Sequence, residues 1–342
     1  MALGALKRLI RQDVALDLGT ANSLIFLQDE GVVLNQPTTV AMDRDGRLLS
    51  FGEEAKRILG KNPPDIKVVR PMRDGVINDF EAVGLFMRAI VEAARRIKPV
   101  FSSKIVICVP SQLTQVEKRL LLEAARSAGF KKIFLIEEVM AAAIGAGVDV
   151  SAKRPCMVAD IGGGTTEVAV ISEMAYLFCH SRRVAGDEMD QAIMGYMLKE
   201  YGLRIGPNTA EKVKWEIGSA TGFDGANKLA IEVAGQDLRR LSPTSVTVGG
   251  LEIQKALSDT VDHVISAIQD CLFMLSEELR REIEQTGLLL TGGGSMLRGL
   301  SALLTQRTGV QVSQPMSPLT TVVEGAGKTL SDFAFFNPVF VN

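Results

Sequence analysis

Residues 14–27 read VALDLGTANSLIFL, and residues 157–171 read MVADIGGGTTEVAVI. Each stretch is a short apolar strand ending in an Asp, then a turn of small residues, then a second strand. Asp17 is followed by Gly19, Thr20 and Ala21; Asp160 is followed by Gly162, Gly163, Gly164 and Thr165. Turns without bulky side chains let backbone N–H groups come close to an anion. An Asp beside such a turn would repel a bare phosphate. It fits if a divalent cation and its waters sit between them, because Mg2+ keeps several waters and is held through one or two carboxylates. Two such hairpins face to face would grip a polyphosphate from both sides. One alone would read as an ordinary tight turn; the repeat of the Asp-first order favours the phosphate clamp. Neither copy carries the GK[ST] of a P-loop, and neither opens a helix with GxGxxG.

The 342 residues suggest two domains or one large one. Hydrophobic residues make up 46% and charged residues 23%, as in a globular protein with a large core. The formal net charge of −2 gives a nucleic-acid role no electrostatic support. Cys108, Cys156, Cys179 and Cys271 are scattered, so they read as small buried residues of a reducing compartment, and neither a metal site nor a disulfide framework fits. His180 and His263 are too few for a His-rich metal site. No apolar run approaches the ~18 residues of a membrane span. The apolar start is too short for a signal peptide and is broken by Lys7, Arg8 and Arg11. A cytoplasmic protein is expected, unless something holds it on a membrane surface. Residues 1–12 could do so. They place Leu3, Leu6, Leu9 and Ile10 on one arc of a helical wheel and the three basic residues on the opposite one. That is the pattern of a helix lying in an anionic lipid interface, or of a terminus packed on its own domain. A polymer would multiply such a weak anchor.

After the first hairpin, residues 32–40 and 48–51 read as short strands, and 53–59 as a small helix broken by Pro63 and Pro64. Residues 81–97 carry a helical apolar stripe. Pro99, Val100 and Phe101 then form an apolar loop before a strand over 104–109. Thr114 and Glu117 make a capping box for a helix reaching Ser127. A buried strand over 133–136 ends at Glu137 and Glu138, where a helix to Gly147 begins. Carboxylates there suit the helix dipole. Alternatively, one of them points into the cleft and orients a water for attack on a terminal phosphate. Asn208 and Glu211 mark another cap, residues 223–241 read as strands and turns, and a long amphipathic helix is expected over 258–275. A strand over 287–290 meets Gly292, Gly293, Gly294 and Ser295, with a helix expected over 296–308. Three glycines there let a flat ring or ribose pass close to backbone. A last helix over 319–330 holds Gly325, Ala326 and Gly327, small enough for a close helix crossing. The tail 331–342 is rich in Phe.

An Asp-hairpin, a Glu-bearing helix, a second Asp-hairpin, a Gly-rich strand–helix turn and a small-residue helix, in that order, resemble the actin, hexokinase and Hsp70 ATPase superfamily. More closely, DLGTAN (17–22), RPMRDGVIN (70–78), FLIEEVMAAAIG (134–145), DIGGGTTEVAVI (160–171), AGDEMD (185–190) and LTGGGSMLRG (290–299) are similar to the MreB family of bacterial actins. The resemblance covers about residues 13–330. It implies an actin-like α/β ATPase fold of two domains, each with a core and an inserted subdomain, around a nucleotide cleft. Residues 13–31 and 72–147 would form subdomain IA and 32–71 subdomain IB. Residues 148–186 and 242–330 would form IIA and 187–241 IIB. An amphipathic membrane helix (1–12) and a tail (331–342) would flank them.

Carried over by position, the resemblance implies that Thr20, Ala21 and Asn22, with Gly162, Gly163, Gly164 and Thr165, hold the phosphates of ATP or ADP. Asp17 and Asp160 would hold Mg2+ through water. Glu138 would orient the attacking water, assisted by Thr165. Glu211 and Lys214 would flank the adenosine, with Gly292, Gly293, Gly294, Ser295 and Met296 on its other side. Gly186, Asp187 and Glu188 would lie near the sugar and phosphates. Leu3, Leu6, Leu9, Ile10, Val100 and Phe101 would touch membrane. The implied activity is slow ATP hydrolysis coupled to filament assembly on the inner face of the cytoplasmic membrane, organising cell-wall synthesis and maintaining rod shape. The implied partners are further copies of the chain, RodZ, MreC, MreD and the elongation machinery, with no nucleic acid. Two features depart from the family pattern: Val139 stands where Pro is usual, and the tail is Phe-rich. Three competing expectations are a soluble small-molecule kinase of the same superfamily, a plasmid-segregating filament with a DNA adaptor, and a chaperone ATPase. The kinase needs a catalytic Asp that no further motif nominates; the chaperone needs a peptide-binding domain for which the tail is too short.

Overall fold

The structure is a computed structural model, described for residues 13–97, 104–222 and 229–341. The expected membrane contacts Leu3, Leu6, Leu9, Ile10, Val100 and Phe101 lie outside the described residues.

β1 (Val14–Leu18) and β2 (Asn22–Leu27) form the first hairpin, with Asp17 opposite Leu24. β3 (Gly31–Pro37) continues it antiparallel. The chain then leaves for a small sheet of β4 (Val40–Met42), β5 (Leu48–Phe51) and β6 (Lys67–Val69), with α1 (Glu53–Ile58) between the last two. β7 (Met72–Arg73) and β8 (Val76–Ile77) flank Asp74 and Gly75, at φ 52° and 73°. Asp-Gly is a pair such a two-residue turn favours. α2 (Phe80–Ile97), β9 (Lys104–Val109), α3 (Gln115–Ser127), β10 (Lys132–Glu137) and α4 (Glu138–Gly145) complete the first lobe. Its main sheet has the order β10-β9-β1-β2-β3.

The second lobe repeats that plan. β11 (Cys156–Ile161) and β12 (Thr166–Ser172) form its hairpin, extended by β13 (Ala175–Arg182). α5 (Gly186–Tyr201), β14 (Leu203–Arg204), α6 (Pro207–Ile217), β15 (Ala230–Asp237) and β16 (Ser242–Gly249) follow. Next come α7 (Gly250–Met274), α8 (Glu277–Thr286), β17 (Leu288–Thr291), α9 (Leu300–Thr308), β18 (Val312–Ser313) and α10 (Thr321–Ser331). The main sheet runs β13-β12-β11-β17-β18. In each lobe the Asp-bearing strand pairs antiparallel with its hairpin partner and parallel with its other neighbour. These strands are covered on both faces, which is why they read as continuous apolar runs.

α4 and α10 lie between the two sheets. Ala15, Leu24 and Val106 of one sheet, and Val158, Ala169 and Ile171 of the other, share one buried cluster with Ala141, Ala142, Val322 and Ala326. The helices cross at glycines. A Cβ on Gly325 would lie 1.8 Å from the Ala141 carbonyl oxygen, and one on Gly145 would lie 1.9 Å from that of Thr321.

Several expected boundaries move. The stretch 32–40 is two strands in two sheets: β3 ends at Pro37 and stays with β2, so the insert begins later than residue 32. β16 pairs with β15, so residues 242–249 belong to the second insert's sheet rather than to the core. α7 starts at Gly250 instead of 258, because β16 runs straight into it and Glu252 accepts the Gly249 N–H at 2.8 Å. Asn208 does not cap α6. Gly206 is the cap, Pro207 occupies the first turn, and the Asn208 amide donates to Lys56 O at 3.1 Å instead. No α-helix starts at Met296. Residues 293–296 form a 3-10 turn, and α9 starts only after Gly299 at φ 76°. The Phe-rich tail packs on the body: Phe333 and Phe340 lie 4.5 and 5.3 Å from the Phe134 ring, and Val341 N–H donates to Leu135 O at 2.9 Å. It covers the edge strand β10, which would otherwise offer a free pairing edge.

The helix crossing can be tested by adding one methyl. Gly325→Ala should cost about 1–3 kcal/mol or more, because backbone must move. Gly84→Ala, mid-α2 with open space around it, should gain roughly 0.5–1 kcal/mol. Thermal melts of the two variants should therefore shift in opposite directions; a Gly325→Ala melt at or above wild type would contradict the crossing.

Candidate functional site

A cavity of about 520 Å3 lies between the lobes, and Asp17 and Asp160 both line it. The hairpin turns form its floor. Thr20, Ala21 and Asn22 line it from one lobe, Gly162, Gly163 and Thr165 from the other. The turns touch: a Cβ on Gly163 would sit 2.7 Å from the Ala21 Cβ and 3.0 Å from the Ala21 nitrogen. Gly164 is not in the cavity wall. It is pressed against the β7–β8 turn, where its Cβ would meet Asp74 backbone at 2.8 Å.

Gly186 and Asp187, at the start of α5, and Glu211 and Lys214, on α6, line one side. Gly292, Gly293, Gly294 and Met296 line another. Two further expected residues do not. Glu188 points back to accept the Ala185 N–H at 2.8 Å, and the buried Ser295 hydroxyl donates to Gly292 O at 2.6 Å. Both shape the wall without forming it.

Of the two glutamates, Glu138 enters the cavity. β10 ends on Glu137 and α4 begins on Glu138, so their side chains diverge. Glu137 turns toward the Tyr176 hydroxyl and the Lys118 charge. Val139 in place of the usual Pro leaves α4 intact.

The site is crowded with desolvated acid. Burial pushes the Asp17 carboxyl up to about 7, and burial with the Asp17 charge pushes Asp160 up to about 7. Burial lifts Glu138 well above the carboxylate range, and the charges of Glu167, Asp17 and Asp160 lift it further. One Asp160 oxygen is buried with no hydrogen-bond partner among the described residues. A buried, unpaired carboxylate oxygen is costly unless something polar meets it. The donor set is two hard oxygen ligands beside glycine turns, and it suits a hydrated divalent cation bridging to phosphates. Among the described residues no group of three or more His, Cys, Asp or Glu could hold an ion directly. An ion held through water by two carboxylates needs none.

Sequence reading passed over several wall residues. Trp215 and the capping Gly218 line the cavity with Glu211 and Lys214, at the i, i+3, i+4, i+7 spacing of one face of α6 and its C-terminal cap. That periodicity was the available clue. Asp190 also lines the wall, 2.9 Å from Lys214. The turn at Asp74 and Gly75 abuts Thr165: a Cβ on Gly75 would lie 2.6 Å from the Thr165 methyl. Its Asp-Gly pair was legible as a hairpin, but its place over the site was not.

The model of the MreB/Mbl protein family matches residues 11–337. The chain belongs to this family. It is 43% identical over 326 residues to the cell shape-determining protein MreB of Escherichia coli (strain K12), with 93% of each chain covered. Among solved structures it resembles MreB5 of Spiroplasma citri bound to ADP, at TM-score 0.88 and 29% identity over 94% of this chain and 97% of that one. The MamK double helical filament, at 19% identity and TM-score 0.77, covering 94% and 99%, shares the fold. The MreB/Mbl chain thus has the actin-like fold and is a cell-shape protein of the bacterial cytoskeleton.

The acid cluster has a sign-defined consequence. Asp17 and Asp160 hold protons more tightly folded than unfolded. Their contribution to stability is therefore full below the ordinary carboxylate value and is lost as pH rises through about 7. Asp17→Asn should raise the stability of nucleotide-free, metal-free protein by about 2 kcal/mol at pH 8 and by little at pH 5. Melting curves at the two pH values check this; an equal effect at both would contradict the charge conflict.

Proposed function

We propose that this MreB/Mbl chain binds ATP with Mg2+, hydrolyses it slowly, and assembles with further copies of itself into filaments on the inner face of the cytoplasmic membrane. There it organises cell-wall elongation and maintains rod shape. The observation that carries this reading is the meeting of Asp17 and Asp160, from opposite lobes, in one cavity with glycine turns on both sides. The Spiroplasma citri relative is described bound to ADP, and also to AMPPNP at TM-score 0.87.

Thr20, Ala21, Asn22 and the turn from Gly162 to Thr165 would cradle the phosphates, with Gly164 acting through its packing. Asp17 and Asp160 would hold the cation, whose charge, when bound, neutralises them and draws off negative charge from the phosphates. Glu138, in the cavity wall, would take a proton from a water and aim it. Its burial raises its proton affinity, which suits a base that must both accept and later release a proton. Thr165 would assist. Glu211 and Lys214 would flank the adenosine, opposite Gly292 to Met296, with Gly186 and Asp187 near the sugar and phosphates. With both turns on one shared anion, its presence would bias the lobes toward one arrangement, and losing the terminal phosphate would remove that bias.

Membrane attachment rests on the apolar and basic arcs of residues 1–12 and on Val100 and Phe101. No helix among the described residues is long and apolar enough to cross a membrane. The partners on this reading are lipid, other copies of the chain, RodZ, MreC and MreD.

Glu138→Gln should keep nucleotide binding and cut phosphate release by about 10²–10⁴-fold, whereas Asp160→Ala should lose binding and ATP-dependent pelleting. Normal pelleting by Asp160→Ala would overturn the clamp. Removal of residues 1–12 should weaken co-sedimentation with anionic liposomes; undiminished binding would refute the N-terminal anchor.

A further inference from the structure

Two ion pairs span the cavity mouth. Lys56 on α1 reaches Glu211 on α6 at 2.5 Å, and Asn208 donates its amide to the Lys56 carbonyl at 3.1 Å. Arg70, just past β6, places one guanidinium nitrogen 2.9 Å from each oxygen of Asp187 on α5. The two bases come from the first lobe, and the acids and Asn208 from the second. All four charged side chains are only 16–26% exposed. Glu211 and Asp187 line the cavity; Lys56 and Arg70 stand behind them.

The arrangement has an electrostatic consequence. Besides Asp160 on the hairpin, the second lobe's wall carries three carboxylates: Asp187, Asp190 and Glu211. Lys214 of the same lobe pairs with Asp190 at 2.9 Å. Glu211 and Asp187 take countercharge from across the cleft. Parting the lobes strips both of it. The wall then turns negative toward a site that, on the reading above, holds a polyphosphate. Closing the lobes neutralises the wall again. Partly buried pairs are screened less by salt than exposed ones, and losing one partner leaves a charge without compensation.

We propose that Lys56 and Arg70 form an interlobe latch that limits how fast nucleotide leaves. They are positioning residues, acting through Glu211 and Asp187 rather than touching the nucleotide. The proposal rests on the nucleotide reading of the cavity.

The test uses full-length protein loaded with a fluorescent ADP analogue and chased with unlabelled ADP. Lys56→Gln and Arg70→Gln should each release the analogue about tenfold faster, equal to about 1.4 kcal/mol on the opening step. Lys56→Arg should stay near the wild-type rate. Wild-type release should quicken with added salt, and the double Gln variant should respond less. The chain's single tryptophan, Trp215, stands on the cavity wall one helical turn from Glu211, so its emission gives a label-free record of the same release. Wild-type protein that takes up no ADP overturns the nucleotide reading and the latch with it. Wild-type protein that binds ADP while the variants release it at the wild-type rate overturns the latch alone. A salt-independent wild-type release rate also overturns it, and that measurement needs no variant to fold.

Discussion

Two carboxylates from different lobes share one cavity, and most of the architecture serves to put them there. Asp17 and Asp160 are the second-last residues of equivalent strands in two sheets built on the same plan. Left alone in low dielectric, such a pair repels, and each holds its proton far above the ordinary range. A chain selected only for stability would not keep this arrangement. Strain of this kind persists where surrounding structure over-determines it. Here the determinants are backbone contacts that no side chain could replace: Gly163 on Ala21, Gly164 on Asp74, and the crossing of α4 with α10.

The two hairpins are not equivalent, and the difference ties the lobes together. Asp17 pairs across its hairpin with Leu24, and Asp160 pairs across its own with Glu167. Glu167 is fully buried, and its carboxylate accepts from the Ser111 N–H at 3.0 Å and the Ser111 hydroxyl at 2.9 Å. Ser111 belongs to the first lobe. The cleft is therefore tied by hydrogen bonds behind the acid cluster and by ion pairs at its mouth, with the touching hairpin turns between.

Much of this was legible in the sequence, because it is carried by local patterns. The hairpins announce themselves by apolar runs and small-residue turns, the capping box at Thr114 and Glu117 forms as read, and the small residues of α10 do make a close crossing. What escaped is decided non-locally. Residues 32–40 look like one β-branched strand, yet Thr38 is drawn out by hydrogen bonds to Ser23 and to Gly19 O. Pro37 was the one local hint, since it cannot donate to a ladder. Glu137 and Glu138 differ by one position, and only the exact point where strand becomes helix separates a cavity residue from a flank. Lys56 and Glu211 lie 155 residues apart, so no window of sequence could pair them.

The same geometry explains why a small event in the cavity need not stay small. Each lobe is a packed sheet with helices on it, so it moves as a body rather than deforming. The hairpin turns touch at Gly163 and Ala21. The Lys56–Glu211 and Arg70–Asp187 pairs stand farther out, between the inserted sheet of one lobe and α5 and α6 of the other. A slight parting of the turns is magnified with distance from the contact, and salt bridges fail over an ångström or two. Parting the lobes by that much would therefore break both pairs together. Contacts of this kind are how sub-ångström changes at a site become changes of outer shape.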